Sequence, residues 1–369
     1  MGEETTGLAM YHVESSRNLK VPTNRKESMR MEIVDRAVNK NPDIDLDPTT
    51  LGFGKYFTAN MFTSRWTPAE GWQNSCIEPY APFSMDPASL VLHYGQEVFE
   101  GLKAFRHEDG SIHLFRPEYN CERLNRSARR LCMPELNVHA NLEAMKRLVE
   151  REQDWVPGGE GALYLRPNMI ATEAVLGVRS STEYLYYIIL SPVGSYFKDG
   201  WKPVKIATSQ EFVRACKGGM GEAKTAGNYA ASLLAQKTAS ESGCEQVLWL
   251  DAQERRYVEE MGGMNVMFVV DGVVCTAPLG GTILSGGTRD SIRTLCEDHG
   301  VGFEERRLAI DEVLSGVAQG RVTEIFACGT AAVVTPVGMI LHKEQEHEVP
   351  VGGSDSITST LYQALCDIQ

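Results

Sequence analysis

One lysine lies in a stretch of small residues that could support covalent chemistry. Lys224 follows three glycines in residues 218–221 and precedes Ala226 and Gly227. Glycine lets a backbone turn tightly and approach a ligand closely, and a lysine in a partly desolvated niche loses part of its preference for the charged form. A neutral amine can form a Schiff base with a carbonyl compound. The stretch therefore predicts amine chemistry at Lys224, with Tyr229 a helical turn further on.

Two other interpretations of Lys224 compete with this one. A nucleotide-binding P-loop requires glycine directly before the lysine and serine or threonine directly after it. Thr225 meets the second requirement, but Ala223 occupies the glycine position, and no strand clearly leads into the segment. A surface lysine in a flexible loop is the ordinary alternative for a lone lysine.

A carboxylate and two glycine turns are further candidates for contacts with a polar ligand. Glu260 enters a segment without other charges that continues as far as Asp271. Because carboxylates are seldom fully buried unless they are paired, Glu260 is either a solvated strand end or the buried partner of a cationic ring nitrogen. Gly287 and Thr288 open a predicted helix, whose backbone N–H groups and dipole attract anions. Thr330 follows a predicted strand, in a turn that could bind phosphate or carboxylate. Both turns are also common structural devices.

Three residues could bind or balance further charge. Tyr164 and Arg166 alternate along one predicted strand, so their side chains face the same side. An arginine beside a tyrosine hydroxyl is a good carboxylate receptor, and a surface arginine packed on the tyrosine fits the pattern equally well. Arg123, judged alone on its predicted helix, is a solvated residue.

The composition bounds the class of protein that must position these residues. The chain has 369 residues, enough for two domains with separate cores, and its net charge of −13 argues against nucleic acid as a ligand. We expect no membrane span, no membrane partner and no signal peptide. The nine cysteines form no CxxC pair, which predicts reduced thiols in the cytoplasm and no metal site.

The predicted elements mix helices and strands without regular alternation, which favours an α+β fold. Strands are predicted over residues 89–94, 103–106, 112–115, 162–166, 184–190, 246–250, 256–260, 266–270, 273–276 and 323–327. Helices are predicted over 116–132, 141–155, 230–242, 289–299 and 311–318, and another begins near Asp355. Leu233 and Leu234 are expected on one side of the helix over 230–242, and Gly243 is expected to end it.

The predicted organisation has four parts. We expect an extended polar arm over residues 1–50, a small N-terminal domain over 51–192, an interdomain linker over 193–206 and a large C-terminal domain over 207–369.

Five motifs, in this order, resemble those of the branched-chain aminotransferases, pyridoxal 5′-phosphate (PLP) enzymes of fold type IV. They are LHYGQEVFEGLK at 92–103, LYLRP at 163–167, GGMGEAKTAGNY at 218–229, EMGGMN at 260–265 and CGTAA at 328–332. The resemblance implies a small N-terminal α/β domain and a larger, PLP-binding C-terminal domain with a mixed, β-barrel-like sheet.

The resemblance also implies roles for the cofactor-binding residues. Lys224 would form a Schiff base with PLP and carry the proton during catalysis. Glu260 would pair with the pyridine nitrogen, and Tyr229 would hydrogen-bond the phenolic oxygen of the ring. The residues implied to hold the phosphate are Arg123, Gly287, Thr288 and Thr330.

The implied substrate site must accept both an aliphatic side chain and glutamate. The substrate carboxylate would meet Tyr164 and the turn Thr330–Ala331, and Arg166 is the candidate for the second carboxylate of glutamate, whose burial is costly unless it is paired. The residues implied to line the apolar pocket are Tyr94, Phe99, Gly101 and Tyr196. In the family, the loop from Leu176 to Val178 reaches the site of the partner subunit, so a homodimer is implied.

The implied activity is transamination of leucine, isoleucine and valine with 2-oxoglutarate, in branched-chain amino-acid biosynthesis. Ser285, Gly287 and Ala226 depart from the family pattern and keep open a related transaminase recruited to another amino acid in specialised metabolism. A nucleotide-binding protein without PLP is the alternative from another class. Ala332 and Thr335 stand where mammalian relatives have a redox CxxC, so no thiol switch is expected there.

Overall fold

The computed structural model describes residues 10–12, 32–194 and 202–369, which form two compact units. The first unit contains residues 10–12, 32–194 and 223–226, and the second contains 202–222 and 227–369. The segment that carries Lys224 therefore belongs to the first unit, although the chain on both sides of it belongs to the second. In the described residues, no helix combines the length and the apolar character needed to cross a bilayer.

The first unit is built on one nine-stranded sheet in the order β1-β7-β6-β8-β9-β3-β4-β2, with β5 also paired to β8. Its strands are β1 Met10–His12, β2 Val34–Asp35, β3 Asn60–Thr67, β4 Gly71–Pro79, β5 Glu97–Phe99, β6 Leu102–Arg106, β7 Ile112–Phe115, β8 Ala162–Ala171 and β9 Tyr184–Val193. Its helices are α1 Pro48–Leu51, α2 Leu90–Tyr94, α3 Pro117–Arg130 and α4 Val138–Arg151, and a 3-10 turn follows at Gln153–Trp155.

Helices α3 and α4 close the core of the first unit against the sheet. Helix α3 begins with Pro117, whose fixed φ and missing N–H suit a first helical turn. Its residues Leu124 and Ala128 are fully buried and share one core cluster with Met145 of α4 and Leu165 of β8. The predicted helix over 116–132 is therefore confirmed, and the strands predicted over 103–106 and 112–115 pair as an antiparallel hairpin of β6 and β7.

The second unit holds a second nine-stranded sheet and the remaining helices. Its strands are β10 Val204–Thr208, β11 Gln246–Leu250, β12 Val258–Met261, β13 Met264–Val270, β14 Val273–Thr276, β15 Phe303–Glu305, β16 Val322–Gly329, β17 Val333–His342 and β18 Gln345–Glu348. The helices are α5 Ala226–Ala230, α6 Leu233–Glu241, α7 Gly287–Asp298, α8 Ile310–Ala318 and α9 Ile357–Ile368.

Six strands of the second sheet close into a barrel. They follow the order β12-β11-β10-β17-β16-β13, and β13 pairs back to β12. The closing hairpin turns at Gly262, whose φ of 56° lies in the left-handed region that favours glycine. The implied β-barrel-like sheet is confirmed, and Glu260 lies on the strand that closes it.

Residues 89–94 form a helix and not the predicted strand. Helix α2 covers Leu90–Tyr94, and Gly95 ends it in the left-handed conformation with a φ of 60°. A short apolar run carries no clear period, so a strand and a helical turn cannot be separated by pattern alone. The glycine after the run was the signal for a helix end.

The predicted single helix over 230–242 is also wrong in its details. The chain forms α5 and α6 instead, and Leu233 and Leu234 are exposed at 67% and 57%. Helix α6 packs through Ala235 and Ala239 in a cluster with Trp249 of β11. Small side chains let the helix approach the sheet closely, so the larger leucines take the outer face. The helix does end before Gly243, as predicted.

Candidate active site

The backbone around Lys224 is held by three hydrogen bonds within the first unit. The N–H of Lys224 donates to Ser127 Oγ at 2.9 Å, and its carbonyl accepts from the N–H of Phe99 at 3.1 Å. Thr225, which is buried, donates its Oγ1 hydrogen to the carbonyl of Glu97 at 2.6 Å. These contacts tie the segment to α3 and β5, so the interpretation as a loose surface loop is wrong.

The side chain of Lys224 lies near an aromatic ring that is shared with a second cation. Its Nζ is 4.9 Å from the centre of the Phe99 ring, and the guanidinium carbon of Arg166 is 4.7 Å from the same centre. Arg166 also donates through Nη2 to the hydroxyl of Tyr164 at 3.0 Å. Tyr164 and Arg166 therefore face the same side of β8, as predicted. The ring of Phe99, on the neighbouring strand β5, contacts Arg166 on that side.

Arg166 has the character of an anion receptor. Within the part of the chain that the structure describes, its buried Nε has no hydrogen-bond partner. A buried donor without an acceptor costs about 1–3 kcal/mol, and an anionic ligand bound at the guanidinium would offset that cost. Gly101 is needed beside it, because a Cβ at this position would lie 1.9 Å from the hydroxyl of Tyr164.

A buried ion pair supports the same part of the first unit. Arg123 donates to Glu100 through Nε at 2.7 Å and through Nη2 at 2.8 Å, and Asn120 donates to Glu100 at 2.7 Å. The Glu100 side chain is fully buried and that of Arg123 is 6% exposed, so the solvated interpretation of Arg123 is wrong. Burial alone would raise the pKa of Glu100, but Arg123 and, more weakly, Lys224 hold it below its usual value.

Glu260 is the centre of a second polar cluster, in the second unit. It is 2% exposed, which rules out the solvated alternative. Its Oε1 accepts from Asn265 Nδ2 at 2.9 Å and from the N–H of Leu284 at 3.2 Å. Its Oε2 lies 2.6 Å from Arg214 Nε. The carboxylate is therefore both buried and matched by a cation.

Asn265 connects Glu260 to the start of α7. It donates to the carbonyl of Leu284 at 3.0 Å as well as to Glu260. Gly286 is the N-cap of α7, and as a glycine it has no side chain with which to cap the helix. A Cβ at Gly286 would lie 2.1 Å from Asn265 Oδ1, so only glycine fits there. The first turn begins at Gly287, and its N–H groups and dipole favour an anion.

The other predicted residues of the second unit lie in turns. Thr330 and Ala331 occupy the turn between β16 and β17, where Gly329 pairs with Val333, as the predicted strand and turn required. Tyr229 lies in α5 and is partly buried, and a Cβ at Gly263 would lie 3.4 Å from its ring.

The remaining predicted substrate residues lie at the surface of the first unit or outside the described chain. Tyr94, at the end of α2, is 45% exposed and donates its hydroxyl hydrogen to the carbonyl of Leu176. Leu176 and Val178 are exposed at 63% and 82%. Tyr196 lies outside the described residues.

Sequence reasoning missed four polar residues of these clusters: Glu100, Asn120, Arg214 and Asn265. A signal existed for two of them. Glu100 is an acid between Phe99 and Gly101 in an otherwise apolar run, and Arg214 opens the small-residue stretch that leads to Lys224. Their roles follow from partners distant in the sequence, and the sequence alone does not identify those partners.

Taken separately, the two groups of residues fit a phosphorylated pyridine aldehyde. The first unit offers an amine with a fixed backbone, and the second offers a buried carboxylate for a ring nitrogen and a glycine-capped helix start for a phosphate. These donors and acceptors match what PLP requires of its protein.

Comparison with known proteins gives a consistent family match. Residues 97–340 match the family described as amino-transferase class IV. The branched-chain-amino-acid aminotransferase of Mycolicibacterium smegmatis is 51% identical over 90% of this chain and 93% of its own length. The branched-chain-amino-acid aminotransferase 2 of Bacillus subtilis is 49% identical over 93% of this chain and 94% of its own length.

Solved structures show the same fold. A branched-chain amino acid aminotransferase from T.th., complexed with N-(5′-phosphopyridoxyl)-L-glutamate, has a TM-score of 0.67 and 26% identity over 84% of this chain and 93% of that chain. The enzyme from Escherichia coli has a TM-score of 0.67 at 24% identity, over 84% of this chain and 93% of that chain, which supports the fold alone. Neither the nucleotide-binding alternative nor a transaminase for another amino acid is favoured by these matches.

Proposed function

The chain belongs to the amino-transferase class IV family, and we propose that it exchanges amino groups between L-branched-chain amino acids and 2-oxoglutarate. The products would be branched 2-oxo acids and glutamate. When bound, PLP supplies an aldehyde for the amino group and a ring that accepts the electrons left at Cα. The observation that carries the proposal is the placement of Lys224, with its amine beside the ring of Phe99, which Arg166 also contacts.

Lys224 would hold the cofactor covalently through Nζ. The hydrogen bonds of its backbone to Ser127 and Phe99 limit the positions that the amine can take. The free amine of Lys224 would also remove the proton from the substrate Cα and hold that proton until it is returned to the substrate. A base placed in advance for this transfer contributes about 10²–10⁴-fold to the rate.

The remaining cofactor contacts would be made by one group of residues at the ring and by another at the phosphate. Glu260, which forms an ion pair with Arg214, would keep a proton on the pyridine nitrogen, and Tyr229 would hydrogen-bond the phenolic oxygen. The phosphate would be held by the guanidinium of Arg123, by the N–H groups of Gly287 and Thr288 at the start of α7, and by the hydroxyl of Thr330.

The substrate site would use one face of β8 for both substrates. The ring of Phe99 offers an apolar wall to a branched side chain, and Arg166 offers a charged group to the second carboxylate of glutamate. Tyr164 and the turn Thr330–Ala331 would receive the carboxylate common to all substrates. The remaining pocket positions are Tyr94, Gly101 and Tyr196.

A single-turnover experiment tests this function directly. The purified holoenzyme is mixed with leucine, isoleucine, valine, glutamate and a panel of other amino acids, and the visible absorbance of the chromophore is followed. We expect fast changes with the branched-chain amino acids and with glutamate, and none with Lys224→Ala. Borohydride reduction of the holoenzyme should leave the pyridoxyl group attached to Lys224, as detected by mass spectrometry. Labelling of another lysine, or a chromophore indifferent to all branched-chain amino acids, would reject the proposal.

We propose a homodimer on the basis of the exposed apolar loop of Leu176 and Val178. Large apolar side chains of this kind commonly mark protein contacts when they cluster on a surface. Sedimentation equilibrium should give twice the chain mass of 40.8 kDa. A Val178→Asp variant should dissociate more readily than the wild type, and a monomeric, fully active wild type would exclude this assembly.

A cytoplasmic location and a biosynthetic role complete the proposal. No disulfide joins any of the nine cysteines in the described chain, which fits a chain kept in a reducing compartment. Fractionation of cells followed by detection of the protein tests the location, and recovery in a membrane or secreted fraction would contradict it.

A further inference from the structure

Arg214 is a buried cation that makes three contacts within the second unit. Its side chain is 7% exposed, and its Nε lies 2.6 Å from Glu260 Oε2. Nη1 donates to the carbonyl of Thr282 at 2.7 Å, and Nη2 donates to the carbonyl of Gly221 at 3.2 Å. The two carbonyls hold the guanidinium in place, and its Nε lies in ion-pair contact with one carboxylate oxygen of Glu260.

The surrounding chain is shaped to allow this geometry. Gly221 packs against Thr282 so closely that a Cβ would lie 2.4 Å from the carbonyl of Thr282. Thr282 also donates its hydroxyl hydrogen to Glu259 Oε1 at 2.7 Å, which gives the neighbouring carboxylate a partner of its own. Arg214 is therefore paired with Glu260, while Glu259 is held by Thr282.

We propose that Arg214 is a positioning residue that keeps Glu260 ionised and in one orientation for the pyridine nitrogen of PLP. The inference rests on the proposed function and adds to it a residue that acts through Glu260. A carboxylate taken out of water prefers its neutral form unless a cation stands beside it. An ionised Glu260 holds the proton on the ring nitrogen, which is the condition for the ring to withdraw electrons from Cα.

The orientation of Glu260 follows from its remaining bonds. Its Oε1 accepts hydrogen bonds from Asn265 and from the N–H of Leu284, and its Oε2 is in ion-pair contact with Arg214. Removal of the guanidinium would therefore change both the charge and the freedom of Glu260, and would leave the Oε1 contacts in place.

The test compares Arg214→Met with a matched ion pair elsewhere in the same unit. Arg321 lies 2.6 Å from Asp271, the same distance, but the two side chains are 57% and 55% exposed. Arg321→Met is the control, because exposed pairs contribute little. We expect Arg214→Met, and not Arg321→Met, to shift the pH dependence of the visible absorbance of the holoenzyme. We also expect its exchange of the substrate Cα proton to slow by about tenfold or more, the effect of one pKa unit in a linked equilibrium, with little change in KM.

A double-mutant cycle separates positioning from general damage. If Arg214 acts through Glu260, the variant with both Arg214→Met and Glu260→Gln should be no slower than Glu260→Gln alone. If the rate loss of the double variant equals the product of the losses of the two single variants, the inference is overturned. The melting temperature of each apoprotein shows whether the fold is intact without any cofactor.

Arg214→Lys keeps the test open if Arg214→Met does not fold. Lysine retains the charge but not the planar fork of donors, so an intermediate shift in the absorbance titration is expected. With a cofactor analogue that has carbon in place of the ring nitrogen, wild type and Arg214→Lys should exchange the Cα proton at equal rates. Rates that still differ would overturn the inference.

The two proposals fail in different ways. A wild-type protein without a visible chromophore and without borohydride labelling of Lys224 rejects the proposed function. An active, coloured wild type whose Arg214→Met variant behaves like Arg321→Met rejects the role of Arg214 alone.

Discussion

At the scale of single residues, Gly101 decides whether the hydroxyl of Tyr164 can reach Arg166. We predict that Gly101→Ala displaces the Tyr164 ring, because the new Cβ would lie 1.9 Å from its hydroxyl. Overpacking of this kind costs about 1–3 kcal/mol, and the displaced hydroxyl would no longer hold Arg166. We expect kcat/KM for glutamate to fall more than kcat/KM for leucine, as measured by single-turnover kinetics.

Gly158→Ala is the matched control for this change. Apart from its two neighbours in the chain, no atom of the described residues would lie within 4 Å of a Cβ at Gly158, and its φ is not in the left-handed region. It should leave both substrates unaffected. Equal losses for glutamate and leucine in Gly101→Ala would mean that Tyr164 does not act through Arg166.

The ion pair of Glu100 and Arg123 should make stability depend on pH. Burial opposes ionisation of Glu100, but Arg123 holds its folded pKa below the usual 4.5. The pair therefore stabilises the fold above the unfolded pKa, and this stabilisation is lost as pH falls through the folded pKa. We predict that Glu100→Gln destabilises the protein by about 3–5 kcal/mol at pH 7, since one partner of a buried pair is removed.

Urea denaturation at pH 7 and near pH 4 measures this difference, which should narrow at the lower pH. Glu143→Gln is the control, because Glu143 pairs with Arg147 at a similar 2.8 Å but both side chains are nearly half exposed. It should change stability by less than about 0.5 kcal/mol. A pH-independent effect of Glu100→Gln would show that the charge of Glu100 is not the cause.

The chemistry of single residues was predicted from the sequence more fully than the links between them. Lys224, Glu260 and Arg166 were identified by unusual neighbours or by strand alternation, which are local signals. Arg214 and Asn265 were not identified, because their importance comes from contacts with Glu260 and Leu284 that only folding creates.

At the scale of elements, α6 packs on the sheet through a face that residue type alone does not identify. Leu234 is 57% exposed, whereas Ala239 is 4% exposed and packs in the cluster with Trp249. Prediction from a sequence pattern places large apolar residues in the core, but a helix that packs closely on a sheet needs small residues at the contact. The strand predicted over residues 89–94 was wrong for a different reason: the short apolar run has no clear period, so it does not distinguish a strand from a helical turn.

Substitutions on the two faces of α6 test this account. We predict that Ala239→Leu destabilises the protein by about 1–3 kcal/mol, since added methylenes force the helix away from β11. Leu234→Gln, on the exposed face, should stay within about 0.5 kcal/mol. Urea denaturation at one protein concentration measures both, and a neutral Ala239→Leu would show that the contact between α6 and the sheet is loose.

At the scale of the whole molecule, the path of the chain is the feature that sequence reasoning could not reach. The barrel was expected from the resemblance, but several strands were not predicted, among them the barrel strands β10 and β17. The assignment of Ala223–Ala226 to the first unit depends on contacts with distant residues such as Ser127. The sequence of residues 223–226 does not by itself predict those contacts.

This path gives Thr225 a role beyond its own hydrogen bond. The chain leaves the second unit after residue 222, contributes Ala223–Ala226 to the first unit and returns at residue 227. Thr225 is 1% exposed and holds the segment by donating to the carbonyl of Glu97 at 2.6 Å. We predict that Thr225→Val, which keeps the shape but loses the donor, leaves a buried acceptor without its partner at a cost of about 1–3 kcal/mol.

The loss should appear in kcat more than in KM, because the position of the Lys224 amine is loosened while the substrate contacts on β8 remain. Thr238→Val is the matched control, since Thr238 donates in the same way to the carbonyl of Leu234 at 3.1 Å but lies on an exposed helix face. It should leave both constants unchanged. If Thr225→Val lowers the melting temperature but leaves kcat at the wild-type value, the hydrogen bond stabilises the fold without positioning the amine.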